Sequence, residues 1–281
     1  MKVLVTGGSG YLGTHLTDHF GADDLSRRSG RDILNVLDTR IASEYDVVIH
    51  LAAHLDKSPS AADEVFLTNV EGTVNLLRSM KEGSVFILAS TKDVYGRFAD
   101  TYEEVPEECP TIYSGQSALE WSKLIAEHYV AFYGRARNFR TCIFRLSTVY
   151  APSTQGNHPN FVTHYANQIN RGEPVRFPAN GKPVRDILHV NDFAAACSSF
   201  IDSVINHGTY NLGGGPKNAL SLRNLFERMQ ELSGYQGIVN EEDPLPNPVP
   251  FNYITDLELV TRELDWTPSI ELDEGLRSLF S

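Results

Sequence analysis

Short, continuously apolar runs alternate along this chain with longer stretches of helical spacing. Val3-Leu-Val opens it as a β-branched and aliphatic run, enters a turn with glycines at 7, 10 and 13, and gives way to an amphipathic segment from Tyr11. That pattern predicts strand, glycine turn, helix. Residues 22–34 supply the next strand or strands in little space. Asp46-Val-Val-Ile-His-Leu-Ala-Ala and Ser84-Val-Phe-Ile-Leu-Ala-Ser are too uniformly apolar to face water, as buried parallel strands are. Between them, residues 60–80 carry Val65, Val70, Val74 and Leu77 at helical spacing, interrupted at Asn69 and Gly72. Phe139–Arg145 reads as a further core strand. This rhythm predicts an α/β fold with a doubly wound parallel sheet and ligands at the carboxyl ends of its strands.

Composition narrows the function. A 41% hydrophobic content is ordinary for a globular chain, and a formal net charge of −12 argues against nucleic acid or an anionic membrane surface as partner. No apolar run approaches the ~20 residues of a membrane span, and the N-terminus reads as a strand rather than a leader, so a cytoplasmic protein is expected. Cys109, Cys142 and Cys197 are widely separated and lack metal-ligand spacing. They are expected as reduced thiols, with no disulfide and no metal site.

The glycine spacing suits a dinucleotide. Gly7 permits the tight turn, Gly10 has no Cβ to hold a pyrophosphate off the backbone, and Gly13 lets the helix approach the strand, whose N-terminal N–H groups then face the phosphates. Beyond the second strand, where an acidic ribose ligand is usual, the chain reads Ser26, Arg27, Arg28. A hydroxyl and two guanidinium groups suit a 2′-phosphate and favour NADP over NAD. The alternative is that the arginines are solvated and Asp23 or Asp24 takes the acidic role.

Thr-Gly-Gly-x-Gly-x-x-Gly at 6–13, Asp32-Ile33, His50-Leu-Ala-Ala, Asn69 and Ser90-Thr-Lys-Asp-Val-Tyr-Gly together resemble the extended short-chain dehydrogenases of the NAD-dependent epimerase/dehydratase family. The likeness continues through Ser122-Lys123-x-x-x-Glu127, Arg145, Val184-Arg-Asp-Ile-Leu-His-Val-Asn-Asp, Asn211-Leu-Gly-Gly-Gly and Leu264-Asp-Trp-x-Pro. It implies a Rossmann-type domain over 1–150 and, over 151–281, a smaller α/β substrate domain with some segments returning to the first sheet. It implies a bound NADP or NAD and a nucleotide-sugar substrate, and leaves room for a homodimer. Gly7, Gly10, Tyr11, Leu12 and Gly13 would hold the dinucleotide, with Asp32 and Ile33 flanking the adenine. Leu51, Ala52 and Ala53 would line the pyrophosphate channel, and Asn69 would steady the region. Thr91 matches the catalytic Ser/Thr and Lys123 the catalytic Lys. A hydroxyl can bond an oxygen becoming a carbonyl, and an ammonium can orient a ribose and lower a neighbouring pKa.

One departure matters. The tyrosine the family places four residues before the lysine is Leu119 here. An alignment using Tyr113 instead would put Ser117 at the lysine position. Tyr113, Asp93 and Tyr95 are therefore the candidate substitutes for the acid/base. In the second domain, Asn160-Phe-Val begins a helix through Asn170, Pro174–Phe177 reads as a strand, and Ser221–Leu232 forms a helix with a Ser N-cap and Leu222, Leu225, Phe226 and Met229 on one face. By resemblance, Thr148, Asn160, Phe161 and Arg185 face the substrate, with Arg185 on its diphosphate; the bland reading of Arg185 is a structural ion pair. The second arginine usual in the family is absent, and residues 239–250 are acidic and proline-rich instead. Two readings follow: an NAD(P)-dependent nucleotide-sugar epimerase, dehydratase or reductase with a displaced acid/base, or a dinucleotide-binding regulatory or scaffold protein without turnover.

Overall fold

The computed structural model describes residues 1–152, 160–240 and 245–280. Its first half runs β1 (Val3–Thr6), α1 (Gly13–Phe20), β2 (Asp23–Leu25), α2 (Val36–Thr39), β3 (Val47–His50), α3 (Ala62–Phe66), α4 (Gly72–Ser79), β4 (Val85–Thr91), α5 (Ala118–Ala136) and β5 (Arg140–Leu146). There follow β6 (Thr148–Tyr150), α6 (Phe161–Arg171), β7 (Pro174–Val175), β8 (Val184–His189), α7 (Val190–Asp202), β9 (His207–Leu212) and β10 (Ala219–Ser221). The chain ends with α8 (Leu222–Ser233), β11 (Ile238–Val239), α9 (Glu258–Leu264) and α10 (Leu272–Arg277).

The expected doubly wound sheet is present: six parallel strands in the order β2-β1-β3-β4-β5-β9. Side chains alternate across a strand, so both faces of this apolar sheet need cover. Val3, Val5, Ile49, Ile87 and Phe144 pack with Leu16 of α1, Phe193 of α7 and Val260 of α9. Leu4, Val48, Phe86 and Leu88 point the other way, onto Leu76 and Leu77 of α4 and Ala126 and Val130 of α5. The interruption read at Asn69 and Gly72 is a π-turn over Leu67–Glu71 between α3 and α4. Such turns shift the register of a helix without ending it.

The chain leaves the large sheet after Leu146, and β6 already pairs with β8 in a three-stranded sheet, β10-β8-β6. A third core, including Val162, Ile169, Leu225, Phe226 and Leu276, joins α6, α8 and α10 there. α6 and α8 begin at Asn160 and Ser221, whose side chains accept from Thr163 N and Asn224 N. The strand expected to reach Phe177 stops at Val175, because β7 pairs only with the two residues of β11. Phe177 instead packs edge-on against Tyr165 and Phe226. Among the described residues, no helix is long and apolar enough to cross a membrane.

Candidate active site

The carboxyl ends of the parallel strands, together with β6, α6 and β8, line a cleft of about 1300 Å³. At one end lies the glycine turn. Gly7 has φ +70°, and a Cβ there would sit 2.9 Å from Ala52 N; a Cβ on Gly13 would sit 2.0 Å from Gly7 O. Backbone thus packs on backbone where the first helix leaves the strand, and a Cβ on Gly10 would meet only Gly7 O, at 3.0 Å. This is a cradle a side chain would fill, and it fits a dinucleotide pyrophosphate. Gly13→Ala should cost about 1–3 kcal/mol through overpacking and abolish dinucleotide binding as the turn shifts. Thermal melts with and without NADPH check both.

Leu12, Leu51, Ala52, Ala53, Asp32 and Ile33 line this end, as do Ser26, Arg27, Arg28 and Arg31. The alternative acidic ligands do not line the cleft: Asp23 accepts the Tyr45 hydroxyl at 2.7 Å, and Asp24 lies beneath the glycine turn and accepts Ser26 Oγ at 2.6 Å. Arg28 Nη1 reaches Ser9 O at 2.9 Å, over the glycine turn. Tyr11 faces the cleft, and its hydroxyl bonds Thr163 Oγ1 at 2.7 Å and Ala151 N at 2.8 Å, tying the turn to α6 and to the end of β6.

Asn69 is buried behind the cleft lining rather than on it. Its side chain accepts from His54 N at 2.7 Å and donates to Ser122 Oγ at 2.8 Å, joining the loop after β3 to α5. Beside it runs a buried chain: Thr6 Oγ1 to His50 Nδ1 at 2.6 Å, His50 Nε2 to Thr73 Oγ1 at 2.8 Å, and Thr73 Oγ1 to Asn69 O at 2.6 Å. The carbonyl can only accept, so Thr73 donates to it and accepts from His50 Nε2; Nδ1 then accepts from Thr6. Burial, reinforced by the charge of Lys123, pushes the His50 imidazole down to about 3.

At the other end, Thr91 closes β4 and Lys123 projects from α5 into the same cleft. Thr91 Oγ1 accepts from Asp93 N at 3.2 Å, and Lys123 Nζ donates to Ala89 O at 2.8 Å. Burial pushes the Lys123 ammonium down to about 8, against the pull of Glu127. Leu119, one turn earlier on α5, is buried beside Val65 and also faces the cleft.

The proposed substitutes for the tyrosine fare differently. Tyr113 is 71% exposed and does not line the cleft. Tyr95 is 0% exposed and lies under it, its hydroxyl donating to Asn211 Oδ1 at 2.7 Å and accepting from Arg145 Nη1 at 2.9 Å. Neither phenol reaches the site, which corrects both assignments: one sits on a solvated loop, the other in a filled core. Asp93 does line the cleft, clamped by Lys92 and, at 3.0 Å, by Lys57. Burial would raise its carboxyl, but the two ammoniums outweigh that and hold it well below the usual carboxylate range.

Lys57 also meets Glu120 Oε1 at 2.7 Å, and Lys92 lies 5.0 Å from the centre of the Tyr253 ring. Reading the sequence missed this four-charge cluster. Ser117-x-x-Glu120 is a capping-box signature, and Glu120 Oε2 does accept from Ser117 N at 2.6 Å. No comparable signal marks Lys57.

On the opposite wall, Thr148, Asn160, Phe161 and Arg185 all face the cleft. Asn160 caps α6 and donates to Val149 O at 2.6 Å. Arg185 forms no ion pair with Asp186; its Nη1 donates to Val184 O and Phe251 O and its Nη2 to Pro250 O, at 2.7–2.8 Å. Its guanidinium thus braces residues 250–251 while facing the cleft, rather than pairing with Asp186. The acidic residues Glu241, Glu242 and Asp243 lie outside the described residues. All three cysteines are free and buried, and no group of metal-ligating side chains occurs among the described residues.

The likenesses to known proteins agree with this geometry. CDP-paratose 2-epimerase of Salmonella typhi is 27% identical over an alignment 338 positions long, spanning 100% of this chain and 98% of that protein. dTDP-glucose 4,6-dehydratase of Neisseria meningitidis is 27% identical over 329, spanning 98% and 91%. The crystal structure of UDP-glucose 4-epimerase from Thermotoga maritima with UDP-glucose superposes with a TM-score of 0.85 at 25% identity, covering 100% of this chain and 97% of the other. Residues 3–213 match the sequence model of the NAD-dependent epimerase/dehydratase family. With the glycine turn, the parallel sheet and the cleft above its carboxyl edge, this chain belongs to that family.

Proposed function

We propose that this chain is an NAD(P)-dependent nucleotide-sugar epimerase or dehydratase whose proton-transfer group is not the family's tyrosine. The observation that carries this reading is the meeting, in one cleft, of the glycine turn with Thr91 and Lys123. The dinucleotide would supply hydride transfer when bound. Thr91 would polarise the reacting sugar oxygen, while Thr148 and Phe161 form the wall against which the sugar nucleotide lies. The three buried thiols suit a reducing, cytoplasmic setting. Mass spectrometry of small molecules released from the denatured protein, followed by a turnover panel of nucleotide sugars, tests the reading. An inactive wild type whose Leu119→Tyr variant turns over would favour the dinucleotide-binding scaffold instead, the reading that Leu119 supports.

NADP is the favoured cofactor. Asp23 and Asp24 do not line the cleft, whose ribose end presents Arg27, Arg28 and Arg31 as donors for a 2′-phosphate; the Ser26 hydroxyl there donates to Asp24. NADPH should bind at least as tightly as NADH, and Arg27→Ala should weaken NADPH selectively by about 1.5–3 kcal/mol, the worth of a hydrogen bond to a charged group. Fluorescence titration decides it; an NADH preference untouched by the substitution would remove the idea.

A further inference from the structure

Leu119 and Lys123 sit one turn apart on the same face of α5, and both face the cleft. Lys123 Nζ is anchored 2.8 Å from Ala89 O, two residues before Thr91 on β4. Other titratable side chains at this end are committed. Asp93 is clamped between Lys57 and Lys92, and Glu120 by Lys57 and its own helix cap. The Tyr11 hydroxyl holds Ala151 and Thr163, and Tyr165 is packed among Phe161, Phe177 and Phe226. Among the described residues, no histidine or cysteine lines the cleft.

We propose that Lys123 itself is the acid/base of this site, its amine taking the proton that a tyrosine at position 119 would have taken. The inference rests on the nucleotide-sugar reading. In the forward step the carbinol C–H leaves as hydride to an oxidised nicotinamide, and the carbinol O–H proton goes to Nζ, giving ammonium. The C–O bond becomes a carbonyl, and return of hydride and proton reverses each change. Burial brings the Lys123 ammonium down to about 8, close to where a general base works best at neutral pH. The titratable groups that bear on it are Glu127 on α5, which opposes the shift, and His50 on β3.

Two measurements test this. In protein without cofactor, carrying ¹³C-lysine, the ε-methylene resonance missing from Lys123→Gln should titrate with a midpoint near 8; a midpoint at the ordinary ~10.4 overturns the proposal. In Lys123→Ala, turnover should fall ~10²–10⁴-fold and return with added primary amines in proportion to their basicity, which a residue that only positions the ribose would not show. Rescue indifferent to amine pKa overturns the proton role while leaving the enzyme reading intact. A wild type inactive on every nucleotide sugar overturns both. Should the variants misfold, the wild-type kcat/KM must fall as pH drops below about 8, and a flat profile from pH 6 to 9 overturns the proposal.

Discussion

Arg145→Ala should be among the most destabilising single changes in this protein, costing about 3–5 kcal/mol, because it strands a buried carboxylate. Arg145 and Glu127 meet through Nη2–Oε2 at 2.7 Å and Nε–Oε2 at 3.1 Å, with side chains only 11% and 5% exposed. Ser90 Oγ also donates to Glu127, and Arg145 Nη1 holds the Tyr95 hydroxyl. The pair bolts α5 to β5 across β4, beneath Thr91 and Lys123. Removing the guanidinium leaves the buried Glu127 with one hydrogen-bond donor, Ser90, and only the charge of Lys123 to oppose it. Removing both charges, in Arg145→Met with Glu127→Leu, should recover much of the loss, since an apolar replacement avoids the desolvation of two ions. Urea midpoints of the two single variants and the double variant test this; a double variant no more stable than either single would show the site depends on the pair itself.

Acid should unfold the protein through His50. Its folded-state value, about 3, lies below the ordinary 6.5 because burial disfavours the charged ring and the Lys123 charge adds to that; the ring sits between two threonine hydroxyls. The unfolded chain therefore takes up a proton at a pH where the folded one does not. The contribution is complete above pH 6.5 and disappears as pH falls from 6.5 towards 3, at about 1.4 kcal/mol per pH unit. Asp93, held ionised by Lys57 and Lys92, adds a loss in the same direction at lower pH. His50→Gln, which keeps a donor and an acceptor, should be less stable at pH 7.5 yet show a flatter profile between pH 6.5 and 4.5. Parallel slopes in the two proteins would place the titrating group elsewhere.

The pattern along the chain by itself determined five of the six strands of the large sheet, the first helix and the glycine turn; β9, which completes the sheet beside β5, was not read from it. Those that were read have local signals: a short β-branched apolar run bounded by turn residues marks a covered strand, and the glycines at 10 and 13 answer contacts with Gly7 inside one turn, while the close approach of Gly7 to Ala52 comes only with the fold. Family, cofactor class and the lone leucine at 119 were legible for the same reason, since a motif and a gap in it are read by spacing. Tertiary structure alone decided which side chains reach the cleft. Tyr95, four residues from Thr91, is turned into the core by Arg145 and Asn211, which lie 50 and 116 residues further on. Arg185 is held by carbonyls 65 and 66 residues away, and Lys57 meets Asp93 and Glu120 across two loops. Whether a charged side chain becomes a strut, a clamp or a free base depends on partners brought near by folding, and sequence spacing carries no record of them.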